Sequence, residues 1–259
     1  MPRITYIDAD APHRERKSAP AGPSGARAFW KSLARCLLRH RAALLLVLAA
    51  YRFAGLGYSE MQQWDESIYA LRAQVILQFG AVWDQSAFML GGAYYSAHPP
   101  LYVWCSTAFL LIFGEQLWVY RLTSAVAAAL LVPLIYRLSR MALPTLPSLA
   151  VTGLFAFAPL PAVFSRLGQL DLLLTLGMMA ALYFAVRALR GGRSADTLLA
   201  GCALGMALLT KLFFALSVPA AVALSAPFLP QPQRSRALRT AALMTAVSLP
   251  FWQIGRAHV

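Results

Sequence analysis

The chain is assembled from apolar runs of roughly bilayer length, separated by short connections that carry arginine. A helix needs about 20 residues to cross a hydrocarbon core about 30 Å thick. Runs of that order lie at about 42–58, 118–137, 147–165, 170–189, 197–212, 213–229 and 237–252. In hydrocarbon, every backbone N–H and C=O must be satisfied within the protein, which leaves the helix as the spanning form for such runs. The pattern predicts an all-α polytopic membrane protein with about seven transmembrane helices. Composition points the same way, with 59% hydrophobic and only 13% charged residues.

The formal charge of +13 would also suit a nucleic-acid binder. The arginines argue otherwise, because they sit between apolar runs and in the first forty positions, where they anchor a chain against anionic lipid. Residues 1–35 are rich in Pro, Ala, Gly, Arg and Ser and contain no apolar core of a signal sequence. They are expected to form a disordered basic cytoplasmic tail, with the membrane module spanning 36–252. The last residues, 253–259, match the in-frame translation of a common adapter oligonucleotide, so a non-native tail is expected from about Gln253. Cys36, Cys105 and Cys202 lie in or beside apolar runs, with neither disulfide nor metal-ligand spacing.

Residues 98–114 are apolar but only marginally long enough to cross. If they do not cross, Arg137 and Arg140, then Arg187, Arg190 and Arg193, then Arg234, Arg236 and Arg239 all fall on the side of the basic N-terminus. If they do, the bias of positive charge toward the cytoplasm is broken twice. The non-crossing topology is therefore expected, with 59–117 as one long external segment containing interfacial helices. Ile68, Leu71, Val75 and Phe79 recur at helical spacing, predicting an amphipathic helix over 66–79 with Asp65 as its N-cap and Gly80 as its stop. Tyr69, Tyr94, Tyr95, Tyr102 and Trp104 are expected in an interfacial aromatic belt.

With this topology Asp65, Glu66, His98, Arg121, Arg166, Asp171 and Lys211 share the external face. Acids are scarce here, only 10 in the chain, and charge beside lipid is expensive. Adjacent residues on a helix point about 100° apart, so one of Asp65 and Glu66 can face a substrate while the other takes an arginine or the backbone. Arg121, Arg166 and Lys211 suit a phosphate, and Asp171 a second carboxylate or a hard divalent cation. A carboxylate base beside cations around a leaving phosphate is the layout for transfer from a phosphorylated lipid. Bland roles exist for each: Asp65 and Asp171 as helix caps, Arg121, Arg166 and Lys211 as interfacial anchors, His98 as an interfacial histidine.

An Asp-Glu pair after the first span, then His98-Pro99-Pro100-Leu101-Tyr102, Arg166-Leu167-Gly168-Gln169-Leu170-Asp171 and Leu204-Gly205-Met206-Ala207-Leu208-Leu209-Thr210-Lys211 follow one another in order. This ordered set, between about 42 and 229, resembles GT-C membrane glycosyltransferases. The nearest groups are the protein mannosyltransferase and aminoarabinose transferase superfamily and its bacterial Rgt-like members. The resemblance implies a polyprenyl-phosphate sugar as donor, inverting transfer to lipid A or its core, a glycan or a protein, and an extracytoplasmic site in the bacterial inner membrane. It implies Asp65 as base with Glu66 as support, Asp171 near the donor or a divalent metal (Mg or Mn), and Arg121 and Lys211 at the donor phosphate. His98 and Arg166 complete the expected donor-binding set. Where aminoarabinose transferases carry Glu-Lys before Pro-Pro, this chain has Ala97-His98, which moves the likeness toward the mannosyltransferase and Rgt-like groups. The alternative reading is a transporter or flippase of lipid-linked sugars, which would require internal repeat symmetry.

Overall fold

The computed structural model describes residues 24–83 and 99–256, and every regular element among them is helical. Ser24–Arg39 forms a helix, α1, so the expected disordered tail is corrected over its last third. Residues 1–23 of that tail, and 257–259 of the expected non-native end, lie outside the described residues. From His40 onward the chain packs as one unit.

That unit begins with α2, Arg41–Ala50, extended by a short 3-10 turn to Phe53. After a loop come α3, Asp65–Phe79, and α4, Leu101–Phe113. A single turn, α5 (Leu117–Tyr120), leads through Arg121 into α6, Leu122–Ser139. The expected run 147–165 is two helices, α7 (Thr145–Phe157) and α8 (Pro159–Phe164), parted at Ala158 where Pro159 starts afresh. Then follow α9, Asp171–Gly191, and α10, Ser194–Leu208. The run 213–229 is likewise divided into α11 (Leu212–Ala215), α12 (Ser217–Ser225) and a 3-10 turn, and α13 covers Gln233–Arg256. Among the described residues, α6 and α9 alone are single helices long and apolar enough to cross a bilayer. Of the other expected spans, 237–252 lies within the single 24-residue helix α13, and the rest are shorter helices or helices placed end to end.

Small residues set the tightest packing. A Cβ on Gly177 of α9 would lie 3.0 Å from the backbone nitrogen of Ala207 on α10. On the other side of α10, a Cβ on Gly201 would fall 2.5 Å from Val247, and one on Gly205 2.4 Å from the Phe251 ring. So α10 is held between α9 and α13 with a core of Ala181, Ala185, Ala200, Ala203, Leu204, Ala207 and Met244. Small faces of this kind let helices touch where lipid supplies no hydrophobic drive. The outward faces carry Leu154, Phe213, Leu224 and Phe228, all more than two-thirds exposed, as lipid contact requires.

The helix α4 has 13 residues, a length of about 20 Å at 1.5 Å per residue. Its first turn bonds to the end of α10, through Leu101 N–H to the Leu209 carbonyl at 3.1 Å. Its face bonds to the start of α6, Tyr102 with Ser124 and Ser106 with Thr123, each at 3.0 Å. The chain thus leaves and regains the same end of the bundle. The helix α3 is present with Gly80 at its stop, in the left-handed region at φ 66°, but its buried face is only partly the expected one. Val75 is buried and Ile68 partly so, whereas Leu71 and Phe79 point outward and Glu66, Tyr69, Ala73 and Ile76 complete the buried face. Burying Glu66 against its partner sets the rotation, and lipid accepts the displaced apolar side chains.

Gly177→Ala is expected to destabilise the bundle by about 1–3 kcal/mol, because the new methyl meets backbone. Gly153→Ala, with nothing within 4 Å of the added Cβ, should instead stabilise it by about 0.5–1 kcal/mol through helix entropy. Denaturant titration in detergent distinguishes the two.

Candidate active site

At the start of α3 two adjacent acids take opposite environments. Glu66 is 1% exposed, whereas Asp65 is exposed. Asp65 is the first helical residue rather than the N-cap, a place taken by Trp64, whose φ of 72° is unusual for a side chain of that size.

Glu66 Oε1 receives Arg121 Nε at 2.6 Å and the Gly168 backbone N–H at 2.9 Å. Its Oε2 receives Arg121 Nη2 at 3.1 Å and the Gln62 backbone N–H at 2.8 Å. Arg121 also donates from Nη1 to the carbonyls of Leu56 and Ser59 at 2.8 and 3.0 Å, and from Nη2 to that of Glu60 at 2.8 Å. All five guanidinium N–H groups are therefore used, and both side chains are fully buried. This corrects the expected role of Arg121 at the donor phosphate, because no N–H remains to offer. Glu66 is likewise committed to the arginine and backbone, leaving Asp65 as the acid that faces outward. Burial alone would raise the Glu66 pKa, but Arg121 and the two backbone donors outweigh it and hold the carboxyl below its ordinary value.

The pair joins four stretches of chain: the 56–62 loop, α3, the start of α6 and the 165–170 turn. Gly168 is needed there, since a Cβ would come within 3.0 Å of Glu66 Cγ and 3.3 Å of the Tyr120 carbonyl. The same turn is tied to α6 by Ser124 Oγ, which donates to the Gln169 carbonyl at 2.7 Å and accepts its N–H at 3.2 Å. Tyr69 and Tyr102, expected in the aromatic belt, instead pack inside, tilted at 56° with ring centroids 5.2 Å apart, 4% and 1% exposed. Burial raises the Tyr69 pKa, and the carboxylates of Asp65 and Asp171 both raise it further. Tyr94 and Tyr95 lie outside the described residues.

The cations at this end differ in what they touch. Arg166 donates from Nε to the Ala54 carbonyl at 2.9 Å and from Nη1 to that of Ala162 at 2.6 Å, with its guanidinium 5.1 Å from the Tyr51 ring centroid. Lys211 begins α11, half-buried, its Nζ 4.9 Å from the Phe214 ring centroid. Neither is ion-paired among the described residues. His98 lies outside the described residues, and the bond from Leu101 to Leu209 brings the segment after it beside Thr210 and Lys211. Sequence reasoning missed Arg52, which is fully buried. Its Nη2 donates to the Phe155 carbonyl at 3.0 Å, and its Nε and Nη1 have no acceptor among the described residues. A single arginine within the apolar run 42–58 was the available signal. No three His, Cys, Asp or Glu side chains gather as a metal-binding set among the described residues. Among the described residues, Asp171 alone is too small a donor set for a divalent cation.

The bundle and this polar end define an all-α membrane protein with a glycosyltransferase-type architecture. The chain belongs to the dolichyl-phosphate-mannose-protein mannosyltransferase family, which matches residues 97–252. Among curated relatives, it is 31% identical over 186 residues to the undecaprenyl phosphate-alpha-4-amino-4-deoxy-L-arabinose arabinosyl transferase of Pseudomonas savastanoi pv. phaseolicola, covering 69% of this chain and 34% of the relative. The fold is similar to that of ArnT from Cupriavidus metallidurans in the apo state, with TM-score 0.68 and 18% identity over 83% of this chain and 42% of that one. The same protein bound to undecaprenyl phosphate gives TM-score 0.67 and 19% identity, over 82% of this chain and 40% of that one. The chain spans about a third of the length of the curated relatives it matches.

Glu66→Gln is expected to cost about 3–5 kcal/mol, because it leaves the Arg121 charge buried without a counter-charge. Replacing both, Glu66→Leu with Arg121→Met, should cost much less than the sum of the single changes. The folded-state pKa of Glu66 is depressed, so its contribution is complete above the ordinary glutamate pKa of about 4.3 and is lost as pH falls through the lower folded value. Melting temperature against pH, in detergent, should show that acid-side loss in the native chain and not in the double variant.

Proposed function

We propose that this chain forms the donor-binding membrane module of an inverting glycosyltransferase, which moves a sugar from a polyprenyl phosphate to an acceptor hydroxyl or amine outside the cytoplasm. The observation that carries the reading is the division of labour at Asp65-Glu66. Glu66 is consumed by Arg121, while Asp65, its neighbour at the start of α3, stays exposed. The family supports a lipid-phosphate donor, and the arabinosyl transferase relative carries undecaprenyl phosphate in its name.

In this mechanism Asp65 takes the proton from the acceptor as its oxygen or nitrogen attacks the anomeric carbon. The bond from that carbon to the phosphate oxygen breaks, and the charge that grows on the polyprenyl phosphate is met by Lys211, Arg166 and, from the segment before Pro99, His98. Arg52, buried with two nitrogens unengaged beside the Arg166 side of the site, adds positive potential there. Glu66 and Arg121 act by position, holding Asp65 and the 165–170 turn in register. Asp171 stands as a second carboxylate at the start of α9. The protein then sits in the bacterial inner membrane with its N-terminus cytoplasmic and the Asp65 end facing out. The sugar and the acceptor follow from parts of the protein that lie beyond this site.

With the full-length protein in lipid and radiolabelled polyprenyl-phosphate sugar, Asp65→Asn should lower transfer by about 10²–10⁴-fold, the usual contribution of a positioned base. Lys211→Ala should weaken transfer less, and Glu66→Gln should lower folded yield along with activity. Transfer that survives Asp65→Asn would remove Asp65 from the role of base. Cysteine labelling at 65 and 171 from one side of sealed vesicles tests the orientation, and labelling from opposite sides would overturn it.

A further inference from the structure

The end of the bundle away from Asp65 contains a cavity, of about 400 Å³, between the C-terminus of α9 and the N-termini of α10 and α13. The 21 residues of α9 separate it from Asp171 by about 30 Å, so it is not an extension of the first site. Its polar lining is Arg236, Arg239, Ser194, Thr197 and Thr240. No carboxylate lines it, and the nearby Asp196 is already paired with Arg187 at 3.2 Å. Arg236 reaches the Leu189 carbonyl with one nitrogen at a long 3.5 Å and is only half-buried; Arg239 is exposed. Gly192, at the turn between α9 and α10, leaves room for the Arg236 guanidinium, since a Cβ there would lie 3.5 Å from its Cζ.

The cavity has a second wall of a different character. Leu198 and Leu243 line it and are themselves 54% and 42% exposed, facing where hydrocarbon would lie. Cations and hydroxyls at the helix ends, with apolar side chains running from them along the helices, match a molecule that has a phosphate at one end and an acyl chain at the other. A soluble phosphate would use the first wall and leave the second bare. We propose that this cavity is a phospholipid site, in which Arg236 and Arg239 hold the phosphate of an anionic headgroup and the acyl chain lies over Leu198 and Leu243. It fixes the α9–α10–α13 slab in the leaflet opposite the Asp65 end. Basic pockets between helices are the expected sites for anionic headgroups.

The test is native mass spectrometry of the purified chain in a non-ionic detergent, titrated with phosphatidylglycerol. One retained lipid per chain is expected. R236Q/R239Q should weaken retention roughly 30-fold, about five-fold per arginine. T197W, which fills the cavity and leaves both arginines, should weaken it comparably. R137Q/R140Q removes the same charge from the end of α6, outside the cavity, and should leave retention unchanged. Millimolar glycerol phosphate should not displace the lipid. Equal retention in all variants, equal loss in both double-arginine variants, or displacement by glycerol phosphate would each overturn the proposal. Because no sugar transfer is measured, failure here leaves the proposed reaction untouched, and the reverse also holds.

Discussion

A single buried ion pair holds the functional end of this protein together. Glu66 and Arg121 are 55 positions apart, and with Gln62, Gly168 and three carbonyls of the 56–60 loop they close a network in which every donor and acceptor is matched. Removing two charges from water costs several kcal/mol per ion, and the return depends on geometry of this completeness. The benefit is placement as well as stability. A loop, two helices and a turn are drawn to one point, and the exposed carboxylate of Asp65 is fixed in orientation as a consequence.

Around that point the packing follows from small side chains. Gly177, Gly201 and Gly205 bring three helices into near-backbone contact, so the starts of α6 and α9 and the end of α10 stay level with one another. The polar residues need no long reach to meet. Ser124 stitches the 169 backbone to α6, Tyr102 reaches Ser124, and Leu101 caps the end of α10. The site is thus a property of how the helices end.

The fold class was legible in the sequence because hydrocarbon permits so few backbone forms, and the Asp-Glu motif was legible because charge is costly near lipid. The way Glu66 and Asp65 divide was readable in outline from the 100° turn between neighbours, though which acid would be buried was not. That choice belongs to Arg121, and nothing local to position 121 distinguishes a buried partner from an interfacial anchor. The same gap explains the rotation of α3. Periodicity found the stripe Ile68, Leu71, Val75 and Phe79, but in lipid an apolar face gains little from turning inward, and the Glu66 contact decides instead. Tyr69 and Tyr102 went astray for a related reason, since the aromatic-belt rule counts neither the hydroxyl partner that Ser124 supplies to Tyr102 nor the ring of Tyr102 against which Tyr69 packs. Arg52 was visible as a lone charge in an apolar run, yet its burial against Phe155 is a tertiary fact.

The interruptions in the helices also set a waterline. The chain leaves helical geometry at Ala54, Ala158 and Lys211, and all three breaks are at the Asp65 end: Ala54 receives Arg166, the ring beside Ala158 meets Tyr51, and Lys211 follows the residues bonded to Leu101. Carbonyls released at such breaks cannot rest among acyl chains without protein or water to receive them. The oily slab therefore ends below these breaks, and Asp65 stands just above its surface. In the proposed reaction an isoprenoid tail would stay dissolved in that slab while its charged head reaches the acid, so the carrier would never be pulled out of its solvent.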